Sequence, residues 1–240
     1  MLKVRVVILA LVAVLIASTS ASAVAQAAKG PVWHVNERVL ETKEADAITA
    51  GLAEGNVAVF GITIAGTNVT FICKTVMSSG ELVGGNPGKG EEEIRFQCEL
   101  EDSPKCEVNV APAHALSELD HTVGGSKILV DFYPEKGKTF TTITIKNKGT
   151  ETCDFKISAG EVKMAIGAGY GIACETSPEE KEVEVNVLKC PETTIKAVEQ
   201  GEQGESKVAV GLEFQGQPAT FSAAIDIKQV SRLPFGPFQL

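Results

Sequence analysis

Apolar and polar residues alternate along most of this chain, and that period of two restricts the fold more than any other feature. Residues 207–214 and 221–228 alternate in this way on either side of a turn at 215–218. Successive side chains of a β-strand point to opposite faces of a sheet, so the pattern indicates a strand with one buried face. The two segments therefore predict an antiparallel hairpin.

The alternation recurs often enough to predict about a dozen short strands. Turn signals rich in Gly, Asn and Pro separate them at the spacing of an all-β fold. We therefore expect an antiparallel sandwich or a barrel-like architecture. Three segments, 44–54, 113–119 and 192–200, compete as short helices. The remaining strands are predicted at 57–64, 69–73, 94–98, 106–110, 128–132, 139–145, 153–157, 162–166 and 183–187.

The chain has six cysteines, and an even number outside the cytoplasm indicates three disulfides. The closest spacing is Cys98 to Cys106, with no Cys-x-x-Cys pair, which disfavours a zinc site. Five cysteines fall in phase with the apolar residues of their strands and should point inward, whereas Cys190 is out of phase with the valines of 183–187. The six are Cys73, Cys98, Cys106, Cys153, Cys174 and Cys190.

Two disulfide arrangements compete. Cys98 and Cys106 flank an acidic turn at 99–105 and would face each other across a hairpin, which is the slightly favoured pairing. A weak sequence echo between 70–98 and 171–190 would instead join Cys73 to Cys98 and Cys174 to Cys190. Spacing alone leaves both open.

The first 25 residues have the features of a cleaved secretory signal peptide. A basic start at Lys3 and Arg5 precedes a 12-residue apolar run at 6–17, and small residues follow. A helix needs ~20 residues to cross a bilayer, so this run is too short for an anchor. We therefore expect a secreted, extracellular protein without a membrane span in its mature part.

The mature part, 26–240, is predicted to be one β-rich domain, or two β halves that meet near 124–126. The whole chain carries a net charge of −9, and removal of the signal peptide leaves 20 basic against 31 acidic residues, a charge of −11. Such an acidic protein would repel a phosphate backbone, which disfavours a nucleic-acid partner.

The best candidate for chemistry is a group of four residues, His114, Glu118, Asp120 and His121. In a helix, His114 and Glu118 would stand one turn apart and could share a metal ion. The alternative is an ordinary polar, solvent-exposed crossover between strands. The chain has no Gly-x-Ser-x-Gly or His-Glu-x-x-His motif, which are the commonest signatures of extracellular hydrolases.

Other motifs have simpler structural interpretations. The glycines of 167–171 lack the spacing of a phosphate loop and favour a strand bend. The acidic runs 91–93 and 180–184 lack the loop that would bring calcium ligands together, and we interpret them as solvated strand faces. Sugar binding would need exposed aromatic rings, and few candidates exist: Trp33, Tyr133 and Tyr170.

Several motifs, spread over most of the mature chain, resemble an uncharacterised group of secreted actinobacterial proteins. That resemblance implies no established activity, cofactor or catalytic residue. Cys174 and Cys190 are additional to the four cysteines of that group, and 234–236 replaces its C-terminal Trp-Gly. The motifs are Trp33-x-Val35-Asn36, Ile72-Cys73-Lys74, the 84–88 turn, Phe96-x-Cys98 to Cys106-x-Val108, and Leu212-x-Phe214-x-Gly216-x-Pro218-Ala219.

The sequence therefore favours a secreted, disulfide-stabilised protein that binds or associates at the cell exterior without chemistry of its own. Its partner would be an unknown extracellular or cell-envelope molecule, and no catalytic, cofactor or metal residue is assigned. One alternative is a hydrolase that uses His114, Asp120 and His121. Another is a β-barrel carrier of a small apolar ligand, which predicts a roomy apolar cavity.

Overall fold

The computed structural model confirms the predicted fold class. It describes residues 30–64, 66–122, 127–155, 159–164, 172–177, 180–190, 196–199, 206–209 and 211–239. These residues form antiparallel strands and no helix. The predicted signal peptide and the 124–126 junction lie outside them, so the proposed division into two halves stays a prediction.

Eighteen strands occur in the described residues. In chain order they are β1 (Val32–Val35), β2 (Arg38–Val39), β3 (Ala45–Leu52), β4 (Ala58–Ile64), β5 (Thr67–Val83), β6 (Lys89–Leu100), β7 (Cys106–Val110), β8 (Ala113–Thr122), β9 (Ile128–Pro134), β10 (Thr139–Asn147), β11 (Ala159–Met164), β12 (Ile172–Ser177), β13 (Val185–Cys190), β14 (Lys196–Glu199), β15 (Ser206–Ala209), β16 (Leu212–Phe214), β17 (Gln217–Gln229) and β18 (Phe235–Phe238).

Eight of these strands form a closed antiparallel barrel. Its order is β17-β3-β5-β6-β8-β9-β12-β13, and β13 pairs again with β17. The closing register runs from Val185 opposite Lys228 to Cys190 opposite Ala223. Closure removes both free sheet edges and encloses one face of every strand.

A second set of strands continues the same sheet beyond the barrel. β5 pairs with β3 through residues 77–83 and with β4 through residues 67–73. β17 likewise leaves β3 and β13 to pair with β4 and β16, and β11, β10 and β7 follow in order. The long strands β5 and β17 thus run through both the barrel and this second set of strands. The buried residues of both parts form one apolar cluster.

A small sheet of β18, β1 and β2 packs against the rest of the molecule. Its two central aromatic residues, Trp33 and Phe235, are 2% and 0% exposed. The Trp33 indole Nε1 donates to the Lys89 carbonyl oxygen at 3.0 Å, and Gly88 has no Cβ that would collide with the indole. Trp33 is therefore a core residue and offers no open surface for sugar stacking.

The predicted hairpin near the C-terminal end is present in part. β16 and β17 pair across a turn at Gln215 and Gly216, both with positive φ, where Gly216 meets little steric penalty. Residues 206–209, however, form a separate strand, β15, that pairs with β14. Residues 153–155 are not in a strand, and the rest of the 153–157 segment lies outside the described residues.

The helical alternatives at 44–54 and 113–119 were wrong, because both segments are strands, β3 and β8. β3 is hydrogen-bonded to β5 on one side and β17 on the other, and β8 to β6 and β9. Of 192–200, residues 196–199 form β14, and the others lie outside the described part. Pairing on both sides outweighs the helix propensity of Ala, Leu and Glu in these segments.

All six cysteines are paired, as Cys73–Cys98, Cys106–Cys153 and Cys174–Cys190. The favoured Cys98–Cys106 pairing was wrong, and the echo-based arrangement is confirmed. Cys73 and Cys98 face each other across β5 and β6, which leaves Cys106 to bridge beyond its own hairpin. Cys190 also points inward with Leu188, while Val185 is exposed, so the valines of 183–187 are not the buried face of β13.

The disulfides should differ in their contribution to stability. The chain-entropy estimate gives about 4 kcal/mol for Cys106–Cys153 and about 3 kcal/mol for Cys174–Cys190, because their sequence separations are 47 and 16 residues. In urea titrations, we expect the Cys106→Ala/Cys153→Ala variant to lose more free energy of unfolding than the Cys174→Ala/Cys190→Ala variant. A Cys106→Ala/Cys153→Ala variant as stable as the wild type would contradict the bridge.

Candidate functional site

A surface cleft of about 470 Å³ opens beside the barrel. One wall is the β7–β8 connection with His114, and the other is formed by Glu135, Lys136 and the first residues of β10, 139–142. Small-molecule sites commonly have volumes of ~300–1,000 Å³. The cleft is therefore large enough to hold a ligand.

Hydrogen bonds hold the two walls in place. The Glu135 backbone N–H donates to the His114 carbonyl oxygen at 2.9 Å, and that of Ala111 donates to the Thr142 carbonyl oxygen at 2.9 Å. The Thr141 hydroxyl donates to the Ala111 carbonyl oxygen at 2.5 Å. The frame of the cleft is thus fixed mainly by backbone groups, which leaves side chains to face a ligand.

The polar side chains of the cleft include a cation, a carboxylate, an imidazole and hydroxyls. Lys136 Nζ lies 3.1 Å from Glu135 Oε1, and these side chains are 87% and 44% exposed. Exposed ion pairs contribute little to stability, so either partner can turn to a ligand at small cost. His114 is exposed, and Thr139 and Thr142 are half-buried.

Phe140 closes the floor of the cleft. Phe140 is 2% exposed and also lines the cavity inside the barrel. The β10–β11 ladder shifts register between Thr139 and Thr141, which places Phe140 at a bulge. A bulge can turn a side chain to the other face, and Phe140 and Thr141 are accordingly both buried.

The barrel interior is nearly filled. Its cavity measures about 30 Å³, which is room for about one or two water molecules. Most of its lining is apolar, and the rings of Phe60, Phe96 and Phe221 pack with centroids 4.7–6.2 Å apart. This cavity is far smaller than the roomy one that the carrier hypothesis predicts.

The carboxylate of Glu92 lies inside the barrel. Its neighbours across the strands are Gly80 and Ala115, which leave room for its side chain. The Ser78 hydroxyl donates to Glu92 Oε2 at 2.9 Å. Burial raises the pKa of Glu92 to about 7, an effect that the Ser78 hydrogen bond partly offsets.

The prediction that 91–93 is a solvated face was wrong for Glu92. Glu91 is exposed and Glu93 half-buried, whereas Glu92 shares the inner face with Ile94 and Phe96. The sequence alternation indicates the burial of Glu92, because residues 92, 94 and 96 must lie on the same side of a strand.

The four residues considered for chemistry do not converge. In β8, residues 114, 118 and 120 share one face, while His121 lies on the other. A rise of ~3.3 Å per residue puts His114 about 13 Å from Glu118 and about 20 Å from Asp120. A shared metal ion or a hydrolytic site built from His114, Asp120 and His121 therefore has no geometric basis here.

A buried carboxylate that we did not predict lies on β9. Asp131 is 0% exposed, and neither of its carboxylate oxygens has a hydrogen-bond partner in the described structure. Burial, followed by the nearby Asp120 and Glu118 carboxylates, raises the pKa of Asp131 well above its ordinary value. The sequence does contain a signal for this burial, because Asp131 lies within the apolar run 128–132.

Glu118 lies opposite Asp131 and has a partial counter-charge. Lys89 Nζ is 3.7 Å from Glu118 Oε2. Burial raises the pKa of Glu118, while Lys89 lowers it. Among the described residues, no group of three or more His, Cys, Asp or Glu side chains is arranged to hold a metal ion.

The remaining sequence candidates have structural roles or lie outside the described residues. Glu182 accepts hydrogen bonds from the Glu37 backbone N–H at 2.8 and 2.9 Å, which fixes a turn in which Asn36 and Glu37 have positive φ. Tyr133 is half-buried. The glycine segment 167–171, with Tyr170, is not described.

Comparison with protein-family models, curated proteins and solved structures finds no match to this chain.

Glu92 makes stability depend on pH. Its pKa is about 7 in the folded protein against 4.5 when unperturbed, so its protonated form stabilises the fold. That contribution is complete below pH 4.5 and is lost as the pH rises through 7, about 3 kcal/mol in all. We expect Glu92→Gln to exceed the wild type in free energy of unfolding by about this amount at pH 8 and to match it near pH 4.5.

Urea titrations followed by Trp33 fluorescence measure this difference. Glu91→Gln, a neighbour on the exposed face, is the matched control and should show no such pH-dependent gain. A Glu92→Gln effect of equal size at both pH values would contradict a buried, titrating Glu92.

Proposed function

We propose that the protein is exported and acts at the cell exterior by non-covalent binding, with the cleft as its ligand site. All six cysteines form disulfides, which is typical of extracellular proteins. Within the described residues, no helix has the length and hydropathy needed to span a membrane.

The observation that carries the proposal is the combination of space and chemistry in the cleft. About 470 Å³ of space is bordered by Lys136, Glu135, His114 and threonine hydroxyls on a frame fixed by backbone hydrogen bonds. Pre-formed pockets with a few converging polar groups are the usual form of a small-molecule site. A polar ligand would exchange the exposed Lys136–Glu135 contact for its own.

The ligand class that fits these groups is a short polar segment with several hydrogen-bonding groups. Hydroxyl, ammonium, carboxylate and imidazole groups together can donate to and accept from hydroxyls and amides. The end of a cell-envelope polymer has such groups and lies where a secreted protein would meet it. We therefore propose an envelope-polymer segment as the ligand.

Backbone amide NMR of the oxidised protein tests this function. Soluble muropeptides, prepared by enzymatic digestion of bacterial cell wall, should shift amides that cluster in 111–114 and 135–142. Lys136→Ala/Thr139→Ala should weaken binding about tenfold, equivalent to about 1.4 kcal/mol.

The matched control is Lys146→Ala, an exposed lysine on the same strand β10 that pairs with Glu107 at 3.0 Å, away from the cleft. It should leave muropeptide affinity unchanged. Shifts confined to other surfaces, or no shifts at all, would overturn the assignment of the cleft.

A further inference from the structure

We propose that Phe140 is a displaceable plug between the cleft and the barrel interior, and that the ligand is amphipathic. Its polar part would occupy the cleft, and a short apolar group would take the place of the ring and face the barrel cavity. This inference rests on the proposed function of the cleft and adds the ligand's second chemical half.

The position of Phe140 is the first argument. Phe140 lines both the cleft of about 470 Å³ and the interior cavity of about 30 Å³. One residue thus lies between a space that is open to solvent and one that is lined mainly by apolar groups. Movement of this ring towards the cleft would join the two.

The backbone around Phe140 is the second argument. The register shift between Thr139 and Thr141 leaves Phe140 without a partner in the β10–β11 ladder. On the other edge of β10, the register with β7 begins only at Ile143. The ring is therefore carried by a bulge, and bulges are common beside binding sites because they set the direction of a side chain.

The available space is the third argument. The interior cavity alone holds about one or two water molecules, so a ligand group must take the place of an existing side chain. A rotated Phe140 would vacate its own volume next to the cavity, whose other lining residues include Ile94, Phe132, Ile172 and Leu188. The cleft is large enough to receive both the ring and the ligand's polar part.

The gain from such a group follows from its apolar area. Each buried methylene contributes about 0.8 kcal/mol, or about a fourfold gain in affinity. A ligand's alkyl chain should therefore bind more tightly as it lengthens, until the vacated volume is full.

A homologous series of n-alkyl β-D-glucosides, from methyl to hexyl, tests the proposal on the wild-type oxidised protein. Methyl-labelled NMR would follow Ile94, Ile172 and Leu188 inside the barrel, and amide NMR would follow 139–142 in the cleft. We expect both sets to shift, with affinity rising several-fold per added methylene.

Phe140→Leu supplies an independent measurement. The smaller plug should increase the affinity ratio of hexyl to methyl glucoside by at least fivefold. Phe214→Leu is the matched control, because Phe214 is equally buried but is absent from the linings of both the cavity and the cleft. It should leave the wild-type ratio unchanged.

The outcomes separate the two proposals. If the glucosides shift the amide signals of the cleft but not the interior methyl signals, and if their affinity does not depend on chain length, the plug proposal is wrong and the cleft site stands. Interior shifts without cleft shifts would also overturn entry past Phe140. If muropeptides shift the cleft and no glucoside does, the amphipathic ligand is wrong, and if neither binds, both proposals fail.

Discussion

The pairing of β13 with β17 is the constraint on which the rest of the structure depends. Six consecutive residues of β13 pair with β17, and this ladder joins the two ends of an eight-stranded sheet. Without this ladder, β13 would be an open edge and the inner face of the sheet would be exposed to water. The Cys174–Cys190 disulfide holds β12 and β13 together at the same place. Closure therefore has covalent support from the neighbouring strand.

Closure also creates the unusual chemistry of the interior. A carboxylate on an open sheet would stay solvated, whereas Glu92 lies among apolar groups, with the Ser78 hydroxyl as its hydrogen-bond partner among the described residues. One end of the barrel continues into the core shared with β4 and β16. Phe140, from outside the eight strands, contributes to this lining and also to that of the cleft. The proposed ligand site is thus a consequence of how the barrel is sealed.

Much of this fold is predictable from local pattern. Alternation identifies the strands, and because Ile94 and Phe96 point inward, the same period places Glu92 beside them. Long-range pairing is harder to predict: the valines of 183–187 resemble a buried face, yet the ladder with β17 turns Asn186, Leu188 and Cys190 inward. Helix propensity also led to a wrong prediction at 44–54, where pairing on both sides stabilises a strand.

The candidate site was less predictable than the fold. Of its residues, sequence reasoning singled out only His114, and for a different chemistry. The cleft depends on two connections that meet only after the barrel closes, and Phe140 faces inward because of a bulge. Neither feature has a signature in the period of two, since a bulge interrupts that period.

Cross-strand proton contacts between β13 and β17 test barrel closure most directly. The structure predicts nuclear Overhauser effects between Asn186 and Ile227 and between Leu188 and Ile225, together with slow amide exchange along β13. Contacts from β13 to β12 without any to β17, and β13 amides that exchange as fast as an unpaired edge, would contradict a closed barrel.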